Sequence, residues 1–258
     1  MVARASWVSA RASVVHVTRA LDVILIPGLW LDGSSWRHVV PVLEQAGHRV
    51  HPMTLPGMES RDADRSSIAL RDHVDAVVAA IDGSSSGSGP GEVVLVGHSA
   101  GAAIAYAAVD ARPDRVARAI YVGGFPTGDG DPLVEGFEEV DGEVPFPDWS
   151  AFDEGDLADL DDDARAEFRA RAIPSPAGVT RGPQRLTDER RYDVPVTVIC
   201  TEFTSEMLRG WVEQGMAPVR ELVNLRDVEY VDLPTGHWPQ FTRPGDLGQA
   251  ILDALERR

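Results

Sequence analysis

The sequence predicts an α/β fold: a mainly parallel sheet with helices on both faces, built as a single domain. Short β-branched runs alternate with segments of helical period from residue 22 onward, the pattern of repeated strand-helix units. One of those runs passes through a tight glycine-flanked turn into an Ala-rich helical segment, which is a strand-to-helix junction. The length of 258 residues and 43% hydrophobic content suffice to cover such a sheet with one large core.

Taken in order, residues 1–21 hold arginine, serine and alanine but no acid. They read as an extension whose run at 14–17 adds an edge strand; the alternative is a processed targeting peptide. Strands are expected at 23–26, 48–53, 92–97, 118–123, 195–200 and 228–233. Amphipathic helices are expected at 34–46, 66–82, 100–111, 205–224 and 244–257, with Ser66, Ser67 and Asp72 forming the polar start of the second. The run GSSSGSGPG at 83–91 falls inside the repeating pattern, so it reads as a long surface loop, not a domain boundary. The core is therefore 22–126 plus 193–258.

The alternation stops over 127–192. Within it, residues 129–163 carry 15 acids and no base, so these 35 residues account for nearly all of the formal charge of -17. Phe137, Phe146, Trp149, Phe152, Leu157 and Leu160 are interleaved with those acids. Aromatics need a surface to pack on, which favours a lid over the sheet's carboxyl edge; the alternative is a solvated acidic loop.

Composition narrows the chemistry. All 24 basic residues are arginine, which excludes a lysine Schiff base, a pyridoxal-phosphate lysine and a Walker-type phosphate loop. The net negative charge disfavours nucleic acid and anionic membranes, and no apolar run reaches the roughly 18 to 20 residues of a membrane span. The single cysteine, Cys200, excludes an intrachain disulfide and a cysteine-cluster metal site. With no metal-ligand spacing of the H-E-x-x-H type, no cofactor is expected, and the expected location is cytoplasmic.

The chemistry begins at Gly97-His98-Ser99-Ala100-Gly101, a G-x-S-x-G between a hydrophobic strand and an Ala-rich helix. The turn is tight enough to require small flanks and lifts the serine hydroxyl above the sheet edge, as a nucleophile needs. A serine requires a base near the working pH, most often histidine. Of seven histidines, His16, His38, His48, His51, His73 and His98 fall in the extension, in elements or inside the elbow. His237, in Leu233-Pro234-Thr235-Gly236-His237-Trp238, follows the last strand where a ligand-facing loop belongs.

These features resemble an α/β-hydrolase, and the chain is similar to small single-domain bacterial serine esterases and lactonases from about residue 22 to the end, least so across 127–192. The resemblance implies the order nucleophile, acid, histidine, with an oxyanion loop after the first strand. Segment 25–36 resembles that loop, with Pro27 where a histidine is usual and Gly28 kept. The implied oxyanion donors are the N–H groups of Leu29 and Ala100. The usual acid positions fall on Thr204 and on Gly123 or Gly124, none of them acidic. Glu202 is favoured, with Glu206, Asp129, Asp131 and a Ser-His dyad as alternatives.

The expected function is a serine hydrolase that cleaves a small carboxylic ester or lactone through an acyl-enzyme, with Ser99, His237 and Glu202 as catalytic residues and a neutral or apolar small molecule as substrate. A cofactor-free lyase or isomerase using the same Ser-His pair, and a catalytically silent binding protein of the fold, are the alternatives.

Overall fold

A computed structural model describes residues 20–84 and 93–257. The edge strand expected at 14–17 and most of the loop at 83–91 lie outside the described residues. The strands are β1 (Asp22–Ile26), β2 (Arg49–Pro52), β3 (Val93–His98), β4 (Val116–Val122), the short β5 (Glu143–Val144) and β6 (Ser175–Pro176), β7 (Val196–Cys200) and β8 (Val228–Asp232). Six of them form one sheet in the order β2-β1-β3-β4-β7-β8, and every pairing in it is parallel. The helices are α1 (Val40–Gln45), α2 (Leu70–Gly83), α3 (Ala100–Ala111), α4 (Asp162–Arg171), α5 (Ala177–Thr180), α6 (Ser205–Glu213), α7 (Pro239–Thr242) and α8 (Pro244–Glu256).

Both faces of the sheet are covered because successive strand residues point to opposite sides. In β1, Val23 and Leu25 join Trp36, Leu43, Leu247 and Ile251 on the face of α1 and α8. Ile24 and Ile26 join Val77, Ile81 and Tyr106 on the face of α2 and α3. Each fully buried aliphatic side chain contributes about 1.5 to 3 kcal/mol, so this continuous burial makes the sheet a rigid platform for the loops at its carboxyl edge.

Three expected helices are shorter than the periodicity suggested. At 34–46 the Asp32 carboxylate accepts from the Ser34 N–H at 2.8 Å and starts a 3-10 turn, Gly33–Trp36. A continuous helix would bury Pro41 in its interior without an N–H to donate, so α1 restarts with Pro41 in its first turn and His38 sits in the connecting turn. At 66–82 the Asp64 carboxylate instead accepts from the Ser66 N–H and hydroxyl at 3.0 and 2.7 Å. That local turn delays α2 to Leu70, where Asp72 accepts from the Ala69 N–H at 2.8 Å. At 205–224, Gly215 at φ +66° ends the helix, and a 3-10 segment, Ala217–Asn224, follows.

Residues 127–192 cross from β4 toward β7 and contain α4, α5 and the antiparallel β5–β6 pair. Their aromatics pack on the loops after β1 and β8. Phe137, Phe146 and Phe152 meet Trp30 edge-on at centroid distances of 4.9, 5.2 and 6.1 Å. Trp149, Phe152 and Phe168 surround Trp238 at 5.8, 5.2 and 5.1 Å. Edge-to-face pairs of this kind add about 0.5 to 1.5 kcal/mol each beyond burial, and they hold the acidic segment against the sheet's carboxyl edge. Among the described residues no helix is long and apolar enough to cross a membrane.

Candidate active site

The turn between β3 and α3 is built by close backbone approach. A Cβ on Gly97 would lie 2.4 Å from the carbonyl oxygen of Gly101, and one on Gly101 would lie 2.6 Å from that of Ile26, so both flanks must be glycine. Between them Ser99 takes φ 53° and ψ -125°, a region that non-glycine residues rarely occupy and that costs on the order of 1 to 3 kcal/mol. Its N–H donates to the Val122 carbonyl at 2.9 Å, which fastens the strained residue to the end of β4. The side chain is thereby lifted off the sheet edge.

His237 sits in the loop between β8 and α7. Its Nε2 lies 2.9 Å from Ser99 Oγ, and its Nδ1 lies 2.8 Å from Glu202 Oε1. Glu202 follows β7 by two residues, and its second oxygen takes a hydrogen bond from the Thr201 hydroxyl. The pair is largely shielded from water, with 17% of each side chain exposed. Burial disfavours the charge on both partners, yet the mutual hydrogen bond and attraction prevail. They leave the imidazole above its ordinary pKa and the Glu202 carboxyl below its own.

The other candidate acids are engaged elsewhere. Asp129 accepts from the Leu186 N–H at 2.9 Å, Asp131 pairs with Arg220, and Glu206 lies exposed in the first turn of α6. The shorter offset from the strand at position 202, relative to Thr204, is bridged by the longer glutamate side chain. Leu29 and Ala100 both border a narrow cleft beside Gly28, and Ala100 opens α3, where main-chain N–H groups lack intrahelical acceptors.

The supporting roles of several residues carried no sequence signal. His98 is fully buried; its Nε2 lies 2.7 Å from the His237 carbonyl oxygen and its Nδ1 lies 3.2 Å from Gln240 Nε2. Since the carbonyl must receive a proton, His98 is neutral and protonated at Nε2, and burial holds its pKa down to about 3. It ties the elbow to the histidine loop from beneath. Trp30 adopts φ 63° and is stapled to residues 127–192: its N–H donates to Ser175 Oγ at 2.9 Å, its indole donates to the Val144 carbonyl at 3.0 Å, and its carbonyl accepts from Ile173 at 2.9 Å. That fixes the loop carrying Leu29. From the same insertion, Asp156 brings a carboxyl close to Glu202 and His237, all three offering oxygen or nitrogen atoms within 4.8 Å of one another. Both His237 ring nitrogens already face hydrogen-bond partners in Ser99 and Glu202, so this trio makes a poor metal site.

Ser99 and Ala100 line a cavity of about 530 Å³ together with Phe125, Pro132, Leu133, Val134 and Pro218, with Asp131, Glu135 and Arg220 also on its lining. The arrangement lines up a serine hydroxyl, an imidazole and a carboxylate beside a largely apolar cavity.

A family model for the alpha/beta hydrolase family matches residues 23–250. The pyrethroid hydrolase of Sphingobium wenxiniae is 36% identical over 101 residues, 39% of this chain, and the match spans only 35% of that enzyme. Methylesterase 9 of Arabidopsis thaliana is 24% identical over 264 residues, covering 91% of this chain and 98% of the relative. Among solved structures, an extracellular α/β-hydrolase from a Paenibacillus species has a TM-score of 0.73 at 18% identity over 92% of this chain and 100% of its own. A pyrethroid hydrolase from Sphingobium faniae has a TM-score of 0.68 at 24% identity, over 92% of this chain and 98% of its own. Both likenesses speak for the fold. With a family model spanning most of its length, from the first strand of the sheet into the last helix, this chain belongs to the α/β-hydrolase family.

Proposed function

We propose that the protein is a serine esterase that cleaves a small, neutral carboxylic ester or lactone through an acyl-enzyme intermediate. The observation that carries this reading is the continuous hydrogen-bond relay from Ser99 Oγ through His237 to Glu202, at 2.9 and 2.8 Å. Relatives named pyrethroid hydrolase, methylesterase and esterase support an ester as the scissile group.

In this reading Ser99 Oγ attacks the carbonyl carbon while His237 Nε2 accepts the hydroxyl proton. Glu202 accepts from Nδ1–H, holds the tautomer that leaves Nε2 free, and stabilises the imidazolium that forms. The N–H groups of Leu29 and Ala100 bind the oxyanion and lower the barrier by about 3 to 4 kcal/mol apiece. The intermediate collapses as His237 returns its proton to the leaving alcohol. Water then attacks the acyl-enzyme, with His237 again as base, releasing the acid and free Ser99. Residues 127–192 act as the lid, and the apolar chamber takes an alkyl or aryl group.

The test is labelling by a fluorophosphonate probe together with hydrolysis of a short p-nitrophenyl ester. Wild type is expected to do both and Ser99→Ala neither. Labelling or turnover that persists in the variant would refute the assignment.

A further inference from the structure

We propose that Asp156 is a positioning residue for the reaction: its main-chain carbonyl holds the histidine loop, and its carboxylate stabilises the imidazolium that His237 becomes during turnover. This rests on the esterase reading, and it gives one acid of the charged insertion a specific task.

Two main-chain observations tie Asp156 to the histidine loop. The His237 N–H donates to the Asp156 carbonyl at 2.8 Å. Next to it, a Cβ at Gly236 would lie only 2.5 Å from that same carbonyl oxygen, so the insertion lies directly against the histidine loop. The Asp156 side chain is aimed by its own neighbours, since Oδ2 accepts from the Asp153 N–H at 3.0 Å. This leaves the carboxylate within 4.8 Å of the Glu202 and His237 polar atoms.

The electrostatics favour action at the transition state. Before reaction the imidazole is neutral and two carboxylates, Glu202 and Asp156, lie near each other. When His237 takes the Ser99 proton, the new positive charge is attracted to both and offsets their repulsion. An interaction that strengthens as the barrier is climbed accelerates the reaction, whereas one equal in both states does not. The charged and titratable groups around His237 are Glu202 after β7, Asp156 from the insertion and His98 from β3; those around Asp156 are Asp153, Glu202 and His237. His98 is neutral at working pH, and burial lifts the Asp156 carboxyl above its ordinary pKa, with the Asp153 N–H and His237 opposing that rise.

A unit charge 4.8 Å away shifts a neighbour's titration by about half a unit even at the dielectric constant of water. The experiment follows His237 by NMR of the full chain with ¹⁵N-labelled histidine, and kcat/KM against pH for a neutral p-nitrophenyl ester. Wild type is compared with Asp156→Asn, with Asp156→Ser, which keeps an oxygen acceptor without the charge, and with Asp156→Glu. Both uncharged variants are expected to lower the His237 midpoint and the acid limb of kcat/KM together by about half a unit or more. They should reduce kcat about threefold or more with KM nearly unchanged, and Asp156→Glu should restore part of both effects. A wild-type His237 midpoint in the folded uncharged variants overturns the inference. Normal hydrolysis by Ser99→Ala would instead overturn the esterase reading, while the NMR titration would still report the coupling between Asp156 and His237.

Discussion

Replacing Glu202 by glutamine tests the relay at its least familiar member. The side chain keeps its length and can still reach His237 Nδ1, 2.8 Å from Oε1 in the native protein, so the substitution removes charge with little change of shape. Two unit charges centred about 4 Å apart interact by about 4 kcal/mol at an effective dielectric constant of 20. That constant suits a pair with 17% of each side chain exposed. Because in the proposed reaction His237 becomes charged only as it takes the Ser99 proton, this loss falls on the barrier and amounts to about a thousandfold in kcat. The amide can also donate to Nδ1 and so favour the tautomer protonated at Nε2, which extends the expected loss to about 10⁴. Initial rates with a p-nitrophenyl ester measure it, and KM is expected to stay within a fewfold. Glu206→Gln and Asp129→Asn serve as controls, since those carboxylates lie on an exposed turn and on the Leu186 N–H. Comparable small losses from all three would refute the relay and leave a Ser-His dyad as the better account.

Three further outcomes follow from the same geometry. In the proposed reaction the base is His237 in its neutral form, and its pKa is raised, so kcat/KM should fall as pH drops through a midpoint above 6.5; a flat profile through that range contradicts the role. His98 is held neutral with its pKa down to about 3. Below pH 6.5 the unfolded chain therefore binds a proton that the native state refuses, and stability declines toward pH 3 by up to about 1.4 kcal/mol per unit. Urea unfolding should show that decline, and His98→Gln should remove this component; an unchanged pH dependence in the variant would refute it. Anionic esters should be disfavoured against neutral isosteres of equal size, and raising salt from about 10 mM to 100 mM, which shortens the Debye length from roughly 30 Å to 10 Å, should narrow the gap. An equal salt response by both esters would place the acids away from the cavity mouth.

Strands were the most legible part of the fold, because buried parallel strands require unbroken β-branched runs; β3 and β7 fall within a residue of the ranges read from those runs. Helix starts were less so, since periodicity reports which face is buried but not where a local turn competes. Asp64 capturing Ser66, and Pro41 forcing a restart, are contests between short-range hydrogen bonding and helix propagation. At the site, Ser99 and His237 were legible because each is placed by one local element, an elbow or a loop after a strand. Glu202 was legible only as one acid among several, because its distance to His237 depends on how two neighbouring strands end. The roles of Asp156, His98 and Gln240 left no signal, since the hydrogen bonds that tie them to His237 or to one another span 81 to 142 positions and only the folded insertion and sheet bring them together.

The acidity of residues 129–163 changes its meaning once its partners are known. Arginines from outside that stretch pair with five of its acids: Arg220 with Asp131, Arg181 with Glu139, Arg65 with Glu143, Arg169 with Asp148 and Arg243 with Asp159. Most of these pairs are exposed and contribute at most about 1 kcal/mol each; Arg65 is the exception, with 1% of its side chain exposed and further bonds to the Ser60, Arg61 and Ala63 carbonyls. Together they fasten the segment at several separate points, while the aromatic contacts with Trp30 and Trp238 supply the apolar seal. The surplus charge that remains is unevenly placed. Asp156 has no arginine partner among the described residues and lies beside the His237–Glu202 pair. An evenly solvated acidic loop would scatter its unpaired carboxylates toward water. Here most acids without an arginine partner do face water, but Asp156 is half-buried beside the imidazole, so any part the segment takes in the proposed chemistry falls to that one carboxylate.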